Sequence, residues 1–227
     1  MGMTAVWKIG AAASALLLVA GLGAHAADLA PAYKAPPAAT AAPFSWTGFY
    51  LGGNAGYGGA NGGLRGVLGG GQLGYNWQTG NFVLGVETDF QASGQRASNS
   101  VTTLGATFAE TDKVTWFGTT RARAGFAQGP WLFYGTGGIA YGQVKIDGTA
   151  TGTVVGPYSA SGTKTGWTVG AGIENAIDQN WSWKLEYLYV SVPGFTNTYT
   201  TLTPNVAISY GAVHDNIVRV GFNYRFR

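Results

Sequence analysis

The chain has 227 residues, of which 10% are charged, and its formal net charge is +3 at pH 7. Soluble domains carry about 25% charged residues, so the composition is atypical of a soluble globular protein, and the small positive charge indicates no nucleic-acid partner. The absence of cysteine excludes disulfides and thiolate-bound metals.

Residues 1–26 have the pattern of an export signal. Lys8 precedes an apolar run that ends at Leu22, and small residues surround a predicted cleavage site between Ala26 and Ala27. The run is shorter than the ~20 apolar residues that a transmembrane helix needs. A cleaved signal peptide is therefore favoured over a permanent anchor helix.

The segment that follows, residues 27–45, is rich in Ala and Pro. Proline lacks a backbone donor and favours extended polyproline conformations. The sequence therefore predicts a periplasmic tether here, ahead of a membrane domain that spans residues 46–227.

Eight segments of alternating hydrophobicity, each of about 10 to 15 residues, occupy residues 46–227. Short and long connections between them strictly alternate. Outer-membrane barrels place short turns in the periplasm and long loops outside, so the pattern predicts an all-β, eight-stranded antiparallel up-and-down transmembrane barrel with both termini periplasmic. The predicted short connections are 78–81, 128–130 and 178–180, and the long ones are 59–67, 94–112, 147–163 and 194–213.

Charged residues in these segments fall on one parity, which predicts a polar lumen, because Lys or Arg on the lipid face costs about 2 to 4 kcal/mol at mid-depth. Counting back from the 178–180 turn places Glu174 opposite Lys184. The 131–146 segment is apolar on both parities, so its faces stay unassigned. The predicted lumen network is Glu87, Asp89, Arg121, Arg123, Glu174, Lys184, Glu186, Arg219 and Arg225, with Glu87–Arg121 and Glu186–Arg219 as further pairs.

Aromatic residues gather at the predicted strand ends, as expected of two interfacial girdles. A soluble β-sandwich core is the alternative for such aromatics, but it predicts more surface charge. The predicted periplasmic girdle is Trp46, Phe49, Trp77, Phe82, Phe126, Trp131, Trp181, Tyr224 and Phe226, and the outer one is Tyr57, Phe90, Trp116, Trp167 and Tyr189.

Several motifs resemble the small porin-like outer-membrane immunogenic proteins of alpha-proteobacteria. They are FSWTGFYLGGNAGYG at 44–58, FVLGVETDF, GTTRARAGFA, WSWKLEYLY and VRVGFNYRF. The resemblance implies an OmpA-type eight-stranded barrel and an abundant surface antigen, with porin activity or haemin binding attributed to some members. This chain departs from the family pattern at Arg227, which follows the terminal aromatic Phe226, and at Asn175, where relatives tend to carry an aromatic.

Three functions are compatible with this sequence: a structural surface barrel with its lumen closed by charge, a narrow porin for small solutes, and capture of a ligand such as haemin by the loops. His214 is the one histidine left after signal removal, and Ser191 or Ser209 could be imagined beside it. Because no nucleophile motif is present, we expect no enzymatic activity, cofactor or metal. The expected partners are outer-membrane lipid, lipopolysaccharide and the barrel-assembly machinery.

Overall fold

The computed structural model describes residues 44–226. The predicted signal peptide with its cleavage site at Ala26 and Ala27, nearly all of the predicted tether, and Arg227 lie outside the described residues. The division of the chain into these segments therefore stays a prediction.

The described residues form β-strands joined by turns and one 3-10 helix, η1. No helix in this part of the chain is long and apolar enough to cross a membrane. The strands are β1 (Gly48–Ala60), β2 (Arg65–Thr79), β3 (Phe82–Ser93), β4 (Arg96–Thr103), β5 (Ala106–Gln128), β6 (Trp131–Gly152), β7 (Gly156–Ala176), β8 (Trp181–Val192), β9 (Phe195–Tyr199), β10 (Val206–Tyr210) and β11 (Val213–Arg225), with η1 (Asn61–Gly63) between β1 and β2.

Eight of the strands close into an antiparallel ring in the order β1, β11, β8, β7, β6, β5, β3, β2. Closure occurs at β1, where Tyr57 pairs with Val67 of β2 on one side and with Val218 of β11 on the other. A closed ring has no unpaired edge, which is the condition for a sheet to lie in hydrocarbon. The predicted eight-stranded barrel is confirmed.

Side chains alternate between lumen and exterior along the ring strands, as the parity argument predicts, apart from a β-bulge between Val114 and Trp116 of β5. In β3, Val83 is 1% exposed whereas its neighbours Phe82 and Leu84 are 69% and 58% exposed. The structure also assigns the faces of β6, which the sequence left open: Leu132 points inward and Phe133 outward. The apolar interior side chains of β6 explain why both parities looked alike.

Tight turns close one end of the barrel. Gly80 and Gly129 adopt positive φ angles of 59° and 58° within these turns, a conformation that glycine adopts without steric cost. At the third turn, the Asp178 carboxylate accepts hydrogen bonds from the backbone N–H groups of Asn180 and Trp181, both at 2.8 Å. The three short connections predicted from the sequence are therefore confirmed.

The long connections predicted from the sequence are present, and most of their residues belong to β-strands. Strands β5, β6 and β7 are 21 to 23 residues long and continue beyond the other ring strands. The 94–112 connection contains β4 paired with β5, and the 194–213 connection contains the β9–β10 hairpin. β-branched Thr and Val favour strands when cross-strand partners are available, which accounts for the strands in these connections.

The β9–β10 hairpin packs its apolar side chains against the extended strands. Tyr199 and Leu202 are 3% and 1% exposed and contact Ile146 and Tyr158. The extended region thus has its own small core, separate from the barrel interior.

Candidate functional site

The candidate site is the barrel interior, where a belt of charged side chains crosses the middle of the lumen. No member of the belt is more than 3% exposed, and acids and bases are equal in number. Five ring strands supply the belt: Glu87 and Asp89 from β3, Arg121 and Arg123 from β5, Glu174 from β7, Lys184 and Glu186 from β8, and Arg219 from β11.

Ion pairs link the belt across the lumen as well as between adjacent strands. Arg121 pairs with its neighbour Glu87, and its other guanidinium nitrogen lies 3.0 Å from Glu186 on a distant strand. Arg219 lies 2.6 Å from Glu186, its register partner, and 2.9 Å from Asp89. The Glu87–Arg121 and Glu186–Arg219 pairs expected from the sequence are both present, within a larger network.

Lys184 takes a partner that the sequence did not predict. It is in register with Glu174, as expected, but its ammonium lies 2.8 Å from both oxygens of Glu87 across the lumen. Glu174 instead pairs with Arg123 at 2.8 Å and accepts a hydrogen bond from Ser182 at 2.6 Å. The predicted Glu174–Lys184 ion pair is wrong because long side chains can reach across the narrow lumen, and register alone does not choose between partners.

Arg225 faces the lumen but lies below the belt. Its guanidinium is 4.8 Å from the ring of Phe44 and 4.5 Å from that of Trp46, and it donates to the Ser45 carbonyl at 2.9 Å. These contacts join Arg225 to the chain segment that enters the barrel.

Trp46 closes the lumen from below, and its assignment to the lipid-facing girdle is wrong. The side chain is 0% exposed and packs with Val83, Leu132 and Tyr134 in a lower apolar layer. Trp46 precedes β1, so the strand alternation that places the other aromatics does not apply to it. The chain folds into the lumen here, and the Trp46 indole fills the end that carries the tight turns.

A second apolar layer covers the belt from above. Its members come from five ring strands and fill the lumen towards the long hairpins. They are Leu68, Phe117, Ala140, Leu188, Val190 and Ile217. The belt thus lies between two apolar layers, which keep water from its charges. Isolated buried ions cost several kcal/mol each, so this arrangement requires the dense mutual pairing that is observed.

Neutral polar side chains complete the belt, and the sequence reasoning missed them. Tyr50 donates to Glu87 at 2.8 Å and accepts from Arg123 at 3.0 Å. Tyr134 donates to Glu186 at 3.0 Å, and the Arg123 guanidinium lies 3.9 Å from the centre of its ring. These hydrogen bonds occupy acceptor positions that the cations leave open.

Glycines on neighbouring strands make room for the two tyrosines. A Cβ atom at Gly74 would lie 2.3 Å from the Tyr50 hydroxyl, and one at Gly172 would lie 2.6 Å from Cζ of Tyr134. An inward aromatic near an inward glycine on the next strand is thus a sequence signal that could have found both tyrosines.

The remaining predicted girdle residues lie on the outer face of the barrel. Phe82 and Phe126 stack edge to face at 5.8 Å near the tight turns, and Phe90 and Trp116 stack at 5.3 Å near the long hairpins. Trp116 and Tyr189 are half-buried. The others are exposed: Phe49, Tyr57, Trp77, Phe82, Phe90, Phe126, Trp131, Trp167, Trp181, Tyr224 and Phe226.

Among the residues considered for catalysis or haemin binding, Ser191 is the register partner of His214, whereas Ser209 lies on β10. His214 is exposed, stacks on Tyr189 and lies 2.9 Å from its hydroxyl through Nδ1. Ser209 lies 3.0 Å from the hydroxyl of Thr196. Within residues 44–226, no group of three or more His, Cys, Asp or Glu side chains could hold a metal ion.

The family model of the outer membrane protein β-barrel domain matches residues 13–226. This chain belongs to that family. The 31 kDa outer-membrane immunogenic protein of Brucella melitensis is 42% identical over 84% of this chain and 89% of its own length. The 22 kDa outer membrane protein of Rhizobium leguminosarum is 36% identical over 80% of this chain and 79% of its own length. The resemblance drawn from the sequence motifs is confirmed.

Among solved structures, the attachment invasion locus protein Ail of Yersinia pestis aligns with a TM-score of 0.43 and 16% identity. The alignment covers 79% of this chain and 99% of that chain. The family assignment rests on the sequence matches alone. It places this protein in the outer membrane of a Gram-negative envelope, as a β-barrel surface protein.

Filling the space beside Tyr134 should destabilise the barrel. We expect Gly172→Ala to cost about 1 to 3 kcal/mol because the new Cβ overlaps the tyrosine ring. Gly162→Ala is the matched control, since it lies on the same strand with no atom within 4 Å of the new Cβ. Urea unfolding of barrels refolded into lipid vesicles measures both. Equal stability of the two variants would contradict the packing described.

Removing one cation should leave the belt with one uncompensated negative charge and should deprive Glu87 of one of its ion pairs. Lys184→Met should destabilise the barrel by about 3 to 5 kcal/mol. Lys145→Met, which removes a half-exposed lysine 3.5 Å from Asp147, should cost less than about 1 kcal/mol. Adding Glu87→Gln to Lys184→Met should recover part of the loss in the same unfolding measurement. A double variant whose loss equals the sum of the single losses would show that Glu87 and Lys184 do not interact.

Proposed function

We propose that this protein is a structural surface barrel whose lumen is closed to ions and solutes. The observation that carries the proposal is the charge belt held between two apolar layers. An ion path needs a continuous polar gap along the lumen. The belt charges face one another at hydrogen-bonding distance, and the layers above and below them consist of large apolar side chains.

The orientation follows from the asymmetry of the two ends. Tight turns belong to the periplasmic side of outer-membrane barrels and long connections to the outside. The extended β5, β6 and β7 strands and the β9–β10 hairpin then face the exterior, and both chain ends face the periplasm, where the residue 27–45 tether would lie. Lipopolysaccharide would surround the outer aromatic ring, and the barrel-assembly machinery would insert the chain.

The exposed hairpins would be the part of the protein that is accessible to other cells and molecules. The relatives from Brucella are named as immunogenic proteins, which supports a surface-antigen role for these hairpins. We assign no catalytic role, because every charged side chain of the belt is ion-paired with another member of the belt. The alternative function is a narrow porin, and an experiment must distinguish it from a closed barrel.

Planar-bilayer recording of the refolded full mature chain tests the proposal. We expect no steady current from the wild-type barrel at moderate voltage. A variant that removes two acids and two bases, with Glu87, Arg121, Glu186 and Arg219 all replaced by Ser, keeps the lumen neutral but empties its centre. It should conduct, which shows that an open lumen is detectable.

Correct folding of both proteins is checked by their faster gel migration before heating than after it. A steady, ohmic current from the folded wild-type barrel would overturn the closed lumen and favour the narrow porin.

A further inference from the structure

A cavity of about 270 Å³ lies at the end of the lumen that carries the long hairpins. Its floor is formed by Phe117, Ala140 and Ile217 of the upper apolar layer. Phe195 and Tyr210, at the base of the β9–β10 hairpin, form part of its wall. The cavity is therefore separated from the charge belt by the upper layer, and its lining is mainly apolar.

Two carboxylates line this apolar space, and one oxygen of each has no hydrogen-bond donor among the described residues. Oδ1 of Asp112 and Oδ1 of Asp215 are both buried and accept no hydrogen bond from protein groups in the described part of the chain. Asp215 is 8% exposed, and its other oxygen accepts a hydrogen bond from Gln95 at 2.7 Å. Neither carboxylate forms an ion pair with a Lys or Arg among residues 44–226.

The two lysines that line the cavity each have a contact of their own. Lys113 lies 3.9 Å from Asp147 and its side chain is 42% exposed. The Lys164 ammonium lies 3.6 Å from the centre of the Phe195 ring. The cavity atoms that lack a partner are thus hydrogen-bond acceptors that carry negative charge, whereas its cations have partners.

We propose that this cavity binds a small amphipathic ammonium compound. The apolar body lies on the floor of the cavity, and the ammonium N–H groups donate to the carboxylates of Asp112 and Asp215. The site is distinct from the closed lumen below it, and a conducting lumen would leave this inference standing.

The chemistry of the cavity selects this ligand class. A buried hydrogen-bond acceptor that has no donor destabilises the protein, and a ligand that supplies a donor removes this cost. A charged donor forms a stronger hydrogen bond than a neutral one does. Burial, together with the neighbouring Glu110 carboxylate, raises the pKa of Asp112 to about 6. Lys164 against Phe195 shows that an ammonium group can rest on an aromatic face of this same wall. The volume is below the ~300 to 1,000 Å³ of pockets for drug-sized ligands, which limits the body to about one ring.

Binding of 2-phenylethylamine to the refolded full mature chain tests the proposal. Calorimetric titration in nanodiscs of neutral lipid at pH 8, with empty nanodiscs subtracted, separates the site from lipid partitioning. We expect saturable binding at one site. 2-Phenylethanol, which lacks the charge, and 3-phenylpropanoate, which reverses it, should bind at least about tenfold more weakly.

Isosteric variants locate the site. Asp112→Asn and Asp215→Asn should each weaken amine binding by about fivefold or more. Asp178→Asn removes the same charge from an exposed turn at the opposite end of the barrel, outside the cavity lining, and should bind the amine as the wild type does. Ala97→Leu, which fills part of the cavity wall, should weaken the binding of the amine and of the alcohol to the same extent.

Several outcomes would overturn the proposal. They are equal affinity for the amine and the alcohol, preference for the carboxylate, absence of saturable binding, and unchanged amine affinity in folded Asp112→Asn and Asp215→Asn variants. If a variant does not fold, the comparison of the three compounds on the unaltered protein still decides.

Discussion

Charged side chains that water does not reach must satisfy one another, and the barrel interior is organised around this requirement. Glu87 illustrates it: a single carboxylate accepts from Arg121, Lys184 and Tyr50, which come from three different strands. Each of these contacts fixes the position of one strand relative to β3. The network therefore holds the ring in register from inside, while the backbone ladder holds it from within the sheet.

The other residues of the interior exclude water from this network. Trp46 and its apolar neighbours close the lumen below the belt, and the layer around Phe117 closes it above. Glycines such as Gly74 and Gly172 leave the space that the tyrosines need to reach the acids. The extended hairpin region has a separate core, so its surface can vary without disturbing the belt.

The sequence predicts the ring well because a charged residue at a lipid-facing position would destabilise the barrel in the membrane. A charge on the lipid face is so costly that alternation alone places the acids and bases of the belt inside. It does not predict which acid meets which base, since Lys184 reaches past its register partner Glu174 to Glu87. Nor does it predict Trp46, whose place depends on how the chain enters the lumen, or the hairpins, whose Thr-rich strands resemble loops until their partners are known.

Thiol labelling of a belt position measures most directly whether the interior is sealed. The chain has no cysteine, so Ser182→Cys, at a fully buried position beside Glu174, introduces one probe with little change of volume. A small charged methanethiosulfonate reagent, applied to either side of the native membrane, should leave it unmodified. The same reagent should modify Ser98→Cys, on an exposed hairpin position, within minutes. Rapid modification of the folded Ser182→Cys variant would show that water reaches the belt and would contradict the sealed lumen.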